Sequence, residues 1–244
     1  MIKIKNINKT FYNNKTKIQV LKNITFNIRK GEFISLLGPN GCGKTTFLYI
    51  LAGILKQDSG KIFLDNKSIG FVSQDFSTTL LPWKNVLQNV AFGLEIKGVK
   101  KENRLKIAED YVKGTILYKF KNFYPSQLSG GLKQLASIIR AFIYNPDILI
   151  LDEPFNSLDY SLKREMELML LKLWKKNKKT IIFVSHEIDE AIFLSDRIIV
   201  LSKRPTKIKS IINVNLARPR KYEIMVSDKF LNIKKQILKL FNLE

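Results

Sequence analysis

The strongest indication of the fold is the glycine-rich segment Gly38-Pro39-Asn40-Gly41-Cys42-Gly43-Lys44-Thr45-Thr46. It satisfies the pattern GxxxxGK[ST] and directly follows an apolar stretch, Phe33-Ile34-Ser35-Leu36-Leu37, that is typical of a buried strand. A helical run begins near Lys44, so the motif has the strand before it and the helix after it that a phosphate-binding loop requires. Glycines let successive backbone N–H groups converge on phosphate oxygens, and the helix N-terminus favours negative charge. In this pattern Lys44 neutralises the β- and γ-phosphates, and the Thr45 hydroxyl binds Mg²⁺.

A pair of carboxylates provides the acidic partner that such a loop needs. The stretch Ile148-Leu149-Ile150-Leu151-Asp152-Glu153 is an apolar strand that ends in two acidic residues, at the sheet edge where α/β sites lie. We expect Asp152 to enter the Mg²⁺ coordination shell and Glu153 to act as general base on the attacking water. An apolar run ending in Asp-Glu is by itself often only a strand end, and the phosphate-binding loop is what favours the catalytic interpretation.

Length and composition limit the classes of protein that this chain can be. Its 244 residues suit one domain, with room for an inserted subdomain, and the 45% hydrophobic content excludes wholesale disorder. The apolar runs are far shorter than the roughly 20 residues of a membrane-spanning helix, and the alternating N-terminus predicts no signal peptide. The single cysteine, Cys42, excludes an internal disulfide and agrees with a reducing compartment. Cys42 lies within the phosphate-binding loop, where we interpret it as a small residue that the loop tolerates and not as a reactive thiol.

The charge of the chain allows two interpretations. Forty-two Lys and Arg residues against 21 Asp and Glu residues give a net charge of +21. A nucleic-acid or anionic membrane partner would explain this excess. A general bias towards Lys, Asn and Ile would explain it equally, because the basic residues are spread along the chain. We favour the compositional explanation and expect no nucleic-acid partner.

The pattern along the chain predicts an α/β fold. Two alternating stretches around a polar tip at Asn13-Asn14-Lys15 predict an N-terminal antiparallel β subdomain. Strands and helices then alternate, which predicts a largely parallel sheet with a helical subdomain inserted at about 76–145. The ATPase domain is expected to span 1–216, and 217–244 to form an amphipathic helical extension. Its apolar face would pack on its own domain or, as the less favoured alternative, on a second copy or a partner.

The tetrapeptide Leu128-Ser129-Gly130-Gly131 lies between the phosphate-binding loop and the strand that ends in Asp152-Glu153. Asp152 follows Gly131 by 21 positions. This arrangement resembles the signature motif of ATP-binding cassette (ABC) ATPases. The other family motifs follow in the family's order: Gln74 resembles the Q-loop glutamine, Ser157-Leu158-Asp159 the D-loop, His186 the switch histidine and Phe11 the aromatic residue that stacks on adenine, with Tyr12 as the alternative. The resemblance extends from about Lys3 to Leu216 and identifies the fold as an ABC-type P-loop nucleotide-binding domain.

The resemblance implies a function and a mechanism. The chain would bind and hydrolyse ATP with Mg²⁺ as a head-to-tail dimer, a homodimer by expectation. Ser129 and the amides of Gly130 and Gly131 would complete the γ-phosphate site of the second subunit, with Asp159 nearby. Gln74 would contribute to the Mg²⁺ site together with Thr45 and Asp152, and His186, the only histidine, would hold the γ-phosphate and the attacking water. Such a chain must use transmembrane permease subunits, usually with a solute-binding protein, and would lie peripherally on the cytoplasmic face of the cell membrane.

Finer features resemble the ATPases of nitrate/sulfonate/taurine/bicarbonate-type importers. They are Leu80-Leu81-Pro82-Trp83, the run from His186 to Arg197, and Leu201-Ser202-Lys203-Arg204-Pro205. The resemblance implies a small anionic or organic solute, with a thiamine precursor as an alternative. Trp83 is either an exposed anchor for a membrane subunit or a tryptophan buried in a turn.

Two other functional classes compete with the importer hypothesis. A non-transport ABC ATPase acting on nucleic acid or ribosomes would suit the charge, but such proteins carry two cassettes or long coiled coils. A catalytically dead cassette is disfavoured by the intact Lys44, Asp152, Glu153 and His186. Two departures from the family pattern, Leu135 where arginine is frequent and Asn156 before the D-loop, remove no catalytic group.

Overall fold

A computed structural model gives the fold and describes residues 1–13, 16–64, 67–74, 79–156 and 158–242. Three parts of the predicted motifs lie outside the described residues: Asn14-Lys15 of the predicted polar tip, Asp75 beside the Q-loop glutamine, and Ser157 of the D-loop motif. The strands are β1 (Ile2–Asn13), β2 (Thr16–Ile28), β3 (Phe33–Leu37), β4 (Ser59–Phe63), β5 (Ile69–Val72), β6 (Ile148–Asp152), β7 (Thr180–Ser185), β8 (Arg197–Leu201) and β9 (Ile208–Asn213). The α-helices are α1 (Lys44–Leu51), α2 (Val86–Ile96), α3 (Lys101–Val112), α4 (Gly130–Ile143), α5 (Tyr160–Asn177), α6 (Ile188–Leu194) and α7 (Asp228–Asn242).

The chain divides into two compact units. The first unit comprises Met1–Lys67 and Lys178–Glu244, and the second unit comprises Ser68–Asn177. Helices α2, α3 and α4 of the second unit fall within the region predicted to be helical. The domain boundaries proposed from the sequence, at 76, 145 and 216, stay predictions.

The first unit contains an antiparallel sheet and part of a parallel one. β1 pairs with β2 and with β4, both antiparallel, which confirms the predicted N-terminal hairpin. β3 lies between β7 and β8 and is parallel to both, and β9 adds an antiparallel strand beside β8. Every side chain of β3 and β7 is buried, as expected of a parallel sheet covered on both faces. Leu37 of β3 pairs with Ser185 of β7, so the segments that follow these strands leave the sheet at the same edge.

The second unit builds its parallel pair in the same way. β5 and β6 run parallel, with Val72 beside Leu151, so the chain after each strand emerges at one edge. The helices α2, α3 and α4 pack on one another. α2 begins at a capping box, in which the Asn85 side chain accepts from the Gln88 amide and the Gln88 side chain accepts from the Asn85 amide. This cap fixes where the chain turns from the Trp83 segment into the helix.

The C-terminal helix packs on its own unit. Phe230 and Ile237 of α7 are fully buried, and α7 contacts α6. The Ser227 hydroxyl accepts a 3.4 Å hydrogen bond from the Phe230 amide at the start of the helix. The apolar face expected from the sequence is therefore covered by the same chain, which favours the first of the two alternatives stated for it.

We expect Ile237→Ala to lower the free energy of unfolding by about 2–5 kcal/mol, because it removes a fully buried side chain and leaves a cavity. Leu238→Ala on the same helix is the matched control, since Leu238 is exposed and its truncation should change stability by less than about 0.5 kcal/mol. Urea denaturation followed by circular dichroism measures both variants. Equal effects of the two substitutions would contradict the packing of α7 on its unit.

Candidate functional site

The phosphate-binding loop occupies the turn between β3 and α1. Gly41 and Gly43 have φ angles of 70° and 120°, in the left-handed region that favours glycine. A Cβ atom on Gly43 would lie 2.6 Å from Val20 Cγ1, and one on Gly38 would lie 3.0 Å from Leu201 Cβ. Both backbone conformation and close packing therefore require glycine in this loop. α1 begins at Lys44, so the loop leads directly into the positive N-terminal end of a helix.

Lys44 is buried and held by the loop itself. Its ammonium donates to the carbonyl oxygens of Gly38 at 2.8 Å and of Pro39 at 3.1 Å. These two contacts fix the long side chain across the loop. Thr45 and Thr46 follow in the first turn of α1 and are half-buried, while Asn40 at the tip of the loop is exposed.

Cys42 is buried inside the loop and is the only cysteine of the chain. Burial raises the pKa of the Cys42 thiol, and the nearby Lys44 charge lowers it by a smaller amount. Since the thiolate is the reactive form, a buried thiol with a raised pKa is inert. This placement favours the interpretation of Cys42 as a small residue that the loop tolerates.

His186 leaves the sheet at the same edge as the loop. It follows the last residue of β7, which is parallel to β3, and its side chain is exposed. The Ser185 hydroxyl accepts a 2.9 Å hydrogen bond from the Glu187 amide, which closes the turn that carries the histidine. The first unit thus brings Lys44 and His186 to one edge of its parallel strands.

The candidate adenine-stacking residues lie near the end of β1, where successive side chains alternate between faces. Phe11 is 41% exposed and Tyr12 is 75% exposed, so the structure leaves both available. The Lys9 ammonium lies 5.4 Å from the centre of the Phe11 ring and is bound at 2.8 Å by Asp58. The hydrogen bond from Lys9 holds the pKa of the Asp58 carboxyl below its usual value. Asp58, which is distant in sequence, thus holds the Lys9 ammonium close to the Phe11 ring.

The second unit brings the Q-loop glutamine and the candidate base together. Gln74 follows β5 and Glu153 follows the parallel β6, and Gln74 Nε2 lies 3.5 Å from Glu153 Oε2. Asn156 donates to the same oxygen at 3.3 Å, so a departure from the family pattern contacts the candidate base directly. Glu153 has a φ angle of 47°, which is unusual for a residue with a side chain. Asp152 precedes it and is only 2% exposed.

The signature motif forms the start of α4. Ser129 is the N-cap, its hydroxyl 3.5 Å from the Leu132 amide, and Ser129 and Gly130 are exposed. Gly131 is buried, and a Cβ atom there would lie 2.6 Å from Leu162 Cδ2 and 2.9 Å from Leu158 Cδ2. The motif therefore presents the N-terminus of a 14-residue helix, which is suited to bind an anion. The closely packed Gly131 holds this end of the helix in place.

Asp159 caps the next helix. Its carboxylate accepts a 3.0 Å hydrogen bond from the Leu162 amide in the first turn of α5. Gly131 packs on Leu158 and Leu162, so the cap also positions the side chains against which the signature motif packs. The sequence motif could not reveal this structural role of Asp159.

No group of three or more His, Cys, Asp or Glu side chains in the described ranges could bind a metal by itself. The side chains expected around Mg²⁺ are the hydroxyl of Thr45, the carboxylate of Asp152 and the amide of Gln74, all of which offer the oxygen ligands that this hard cation prefers. The chemistry of each side chain therefore fits Mg²⁺, and their meeting at one ion stays a prediction. None of the helices in the described part of the chain has the length and apolar character that a membrane span requires.

Comparison with known proteins relates the whole chain to one family. The family model described as "ABC transporter" matches residues 21–156. An ABC transporter ATP-binding protein of Methanocaldococcus jannaschii is 42% identical over 246 residues, covering 98% of this chain and 90% of that protein. An aliphatic sulfonates import ATP-binding protein of Bacillus cereus is 38% identical over 247 residues, covering 98% and 95%.

Solved structures agree with this relationship. The dimeric structure of a bacterial ABC transporter cassette superposes with a TM-score of 0.79 at 33% identity, covering 89% of this chain and all of that one. A post-hydrolysis state of an ATP-binding cassette bound to ADP and Pi, also dimeric, gives a TM-score of 0.78 at 32% identity and the same coverage. The α/β fold, with its antiparallel β subdomain and helical region, is that of an ABC-type nucleotide-binding domain.

We expect the Cys42 thiol to react at least about tenfold more slowly with a disulfide reagent in the native protein than in urea, because burial hinders access and raises its pKa. The measurement is the absorbance change with Ellman's reagent at pH 7.5, with a free cysteine peptide as the control for reagent reactivity. A native thiol as fast as the unfolded one would instead support a reactive cysteine in the loop.

Proposed function

The chain belongs to the ABC transporter family, as an ATP-binding and ATP-hydrolysing subunit, and we propose that it powers the import of a small organic anion such as a sulfonate. The observation that carries the importer proposal is the likeness, along 98% of this chain, to a protein named for aliphatic sulfonate import. The proposal places the cassette on the cytoplasmic face of the cell membrane, bound to transmembrane permease subunits. A solute-binding protein would deliver the solute to the permease.

ATP would bind with its phosphates on the loop. The backbone amides around Gly43 and in the first turn of α1 would donate to the phosphate oxygens, and Lys44 would supply the positive charge. The ammonium now donates to two loop carbonyls, and these are contacts that phosphate oxygens can replace without moving the lysine backbone. Phe11, or alternatively Tyr12, would stack on the adenine.

Magnesium would be held by Thr45, Asp152 and Gln74 together with the nucleotide. When bound, the ion neutralises charge on the phosphates. The residues of the chain contribute oxygen ligands alone, so the proposal requires a cation that prefers oxygen.

Glu153 would accept the proton of the water that attacks the γ-phosphate, and His186 would hold that water and the phosphate in line. The contacts of Glu153 with Gln74 and Asn156 support this role, because the two amide donors orient its carboxylate. The left-handed backbone at Glu153 is the kind of local strain that is concentrated at functional sites.

A second copy of the chain would complete the site. Ser129, Gly130 and Gly131 at the N-terminus of α4 offer further donors for the γ-phosphate of the partner, with Asp159 beside them. Several charged oxygens need more donors than one loop provides, so ATP would hold the two copies together and hydrolysis would release them. The likeness to dimeric cassettes supports this proposal.

We propose that the second unit docks the permease. A cavity of about 200 Å³ is lined by aromatic and aliphatic side chains that include Phe71, Phe92, Ile96 and Tyr144. Ile96 is 68% exposed, and Trp83 in the preceding segment is 70% exposed, so the alternative of a buried Trp83 is wrong. Exposed aromatic side chains of this kind are typical anchors of protein interfaces. We assign the cavity to the cytoplasmic loop of a membrane subunit, and Trp83, which does not line the cavity, to a separate contact with the same subunit.

We expect Glu153→Gln to reduce the ATPase rate by about 10²–10⁴-fold while ATP still binds, because the amide cannot accept the proton. The variant should accumulate as an ATP-bound dimer, measured by size-exclusion chromatography with light scattering. Glu102→Gln, the same change at an exposed position in the first turn of α3, is the control and should hydrolyse at the wild-type rate. Hydrolysis by Glu153→Gln at the wild-type rate would remove Glu153 from the role of base.

We expect the tagged chain to recover a multi-span permease from native membranes, and an aliphatic sulfonate to stimulate ATP hydrolysis in the reconstituted complex. Trp83→Ala should weaken the association by about 2 kcal/mol if Trp83 is an anchor, whereas Ile54→Ala, another exposed apolar residue, should not. Nitrate and a thiamine precursor test the alternative solutes. Recovery of ribosomes or DNA in place of a permease would contradict the transport function.

A further inference from the structure

We infer that Thr206 is a positioning residue that sets the orientation of the Cys42–Gly43 peptide in the phosphate-binding loop and thereby the affinity for nucleotide phosphates. Thr206 lies in the segment between β8 and β9, far from the loop in sequence. It is fully buried, at 0% exposure, and carries a polar side chain. The inference rests on the proposed binding of ATP phosphates by this loop.

The backbone of Thr206 is fixed on β2. Its amide donates to the Val20 carbonyl at 2.8 Å, and its carbonyl accepts from the Lys22 amide at 2.9 Å. These two hydrogen bonds form a parallel bridge beside Leu21. A buried residue held on both sides in this way has little freedom, so its side chain is presented in one direction.

The Thr206 hydroxyl donates to the carbonyl oxygen of Cys42. In a planar trans peptide, the C=O and the following N–H point in opposite directions. Holding the Cys42 carbonyl towards Thr206 therefore directs the Gly43 N–H to the opposite side of the loop. Gly43 immediately precedes α1 and is one of the amides available to phosphate oxygens.

The side of Gly43 that faces β2 is closed. A Cβ atom built there would lie 2.6 Å from Val20 Cγ1 and 3.6 Å from Thr206 Oγ1. Gly43 has a φ angle of 120°, and as a glycine it has no side chain to restrict rotation of the Cys42–Gly43 peptide. The hydroxyl of Thr206 supplies that restraint, so a flexible glycine can still present its amide in a constant direction.

The test compares variants with and without the donor. Thr206→Val has nearly the shape of threonine but no hydroxyl, Thr206→Ser keeps the hydroxyl, and Thr206→Ala is a second donor-less variant should the valine variant not fold. The matched control is Thr180→Val in the same unit. Thr180 begins β7 and is buried, and its hydroxyl accepts a 3.0 Å hydrogen bond from the Gly31 amide. The dissociation constant of ADP by isothermal titration calorimetry is the main readout, with KM and kcat for ATP and the melting temperature.

We expect Thr206→Val to raise the dissociation constant of ADP and the KM for ATP by about tenfold, the effect of losing one hydrogen bond that orients a phosphate ligand. The kcat should stay close to the wild-type value, since the same amide contacts substrate and transition state. Thr206→Ser should bind ADP like the wild type. Thr180→Val should lose thermal stability but keep the wild-type affinity.

Wild-type affinity in the folded donor-less variants would overturn the inference, as would a tenfold loss in Thr206→Ser or in Thr180→Val. A wild-type protein that binds no ADP would overturn the proposed function, and the inference with it. A loss confined to the donor-less Thr206 variants supports the inference, because a general loss of stability would appear in the control too.

Discussion

The phosphate-binding loop is held at the end of β3, a fully buried parallel strand. β3 lies between β7 and β8, so its end cannot move without breaking hydrogen bonds on both sides. The following turn approaches Leu201 and Val20 so closely that Gly38 and Gly43 have no space for a side chain. A loop made of flexible residues is thus held rigidly by its surroundings, and that rigidity allows backbone amides to act as preorganised anion ligands.

Much of this arrangement could be predicted from local patterns. The apolar runs of β3, β6 and β7 and the glycine-rich motif indicated a parallel sheet, and the spacing of the motifs indicated the family. Strand β9 was not predicted from its sequence, and neither was β4, because a short strand such as Ser59–Phe63 alternates between exposed and half-buried residues and carries little apolar signal. Contacts between distant segments leave no local pattern: the last motif along the chain ends at Pro205, one residue before Thr206, and Asn156 differs from the family pattern without any sign of its contact with Glu153.

In the candidate site, too, the sequence reveals the types of the functional residues but not the contacts that position them. The sequence selects Glu153 as the candidate base, since it is a carboxylate that follows a buried strand in a chain with a phosphate-binding loop. Its orientation depends on Gln74 and Asn156, which contribute neutral amide donors that no charge pattern reveals. The signature motif is likewise recognised from Ser129 and its glycines, whereas the reason for Gly131 is the approach of Leu158 and Leu162.

The C-terminal extension shows why buried charge is difficult to predict. Burial lowers the pKa of the Arg220 guanidinium to about 9, with a further contribution from the nearby charge of Arg218, so Arg220 remains charged at neutral pH. That charge is stabilised because Arg220 donates to the carbonyl oxygens of Ile192 and Phe193, at the negative end of α6, each at 2.7 Å. At the other end of α6, Lys234 of α7 binds Asp189 at 2.8 Å. α6 begins two residues after His186, so the extension supports, from both ends, the helix that follows the candidate switch histidine.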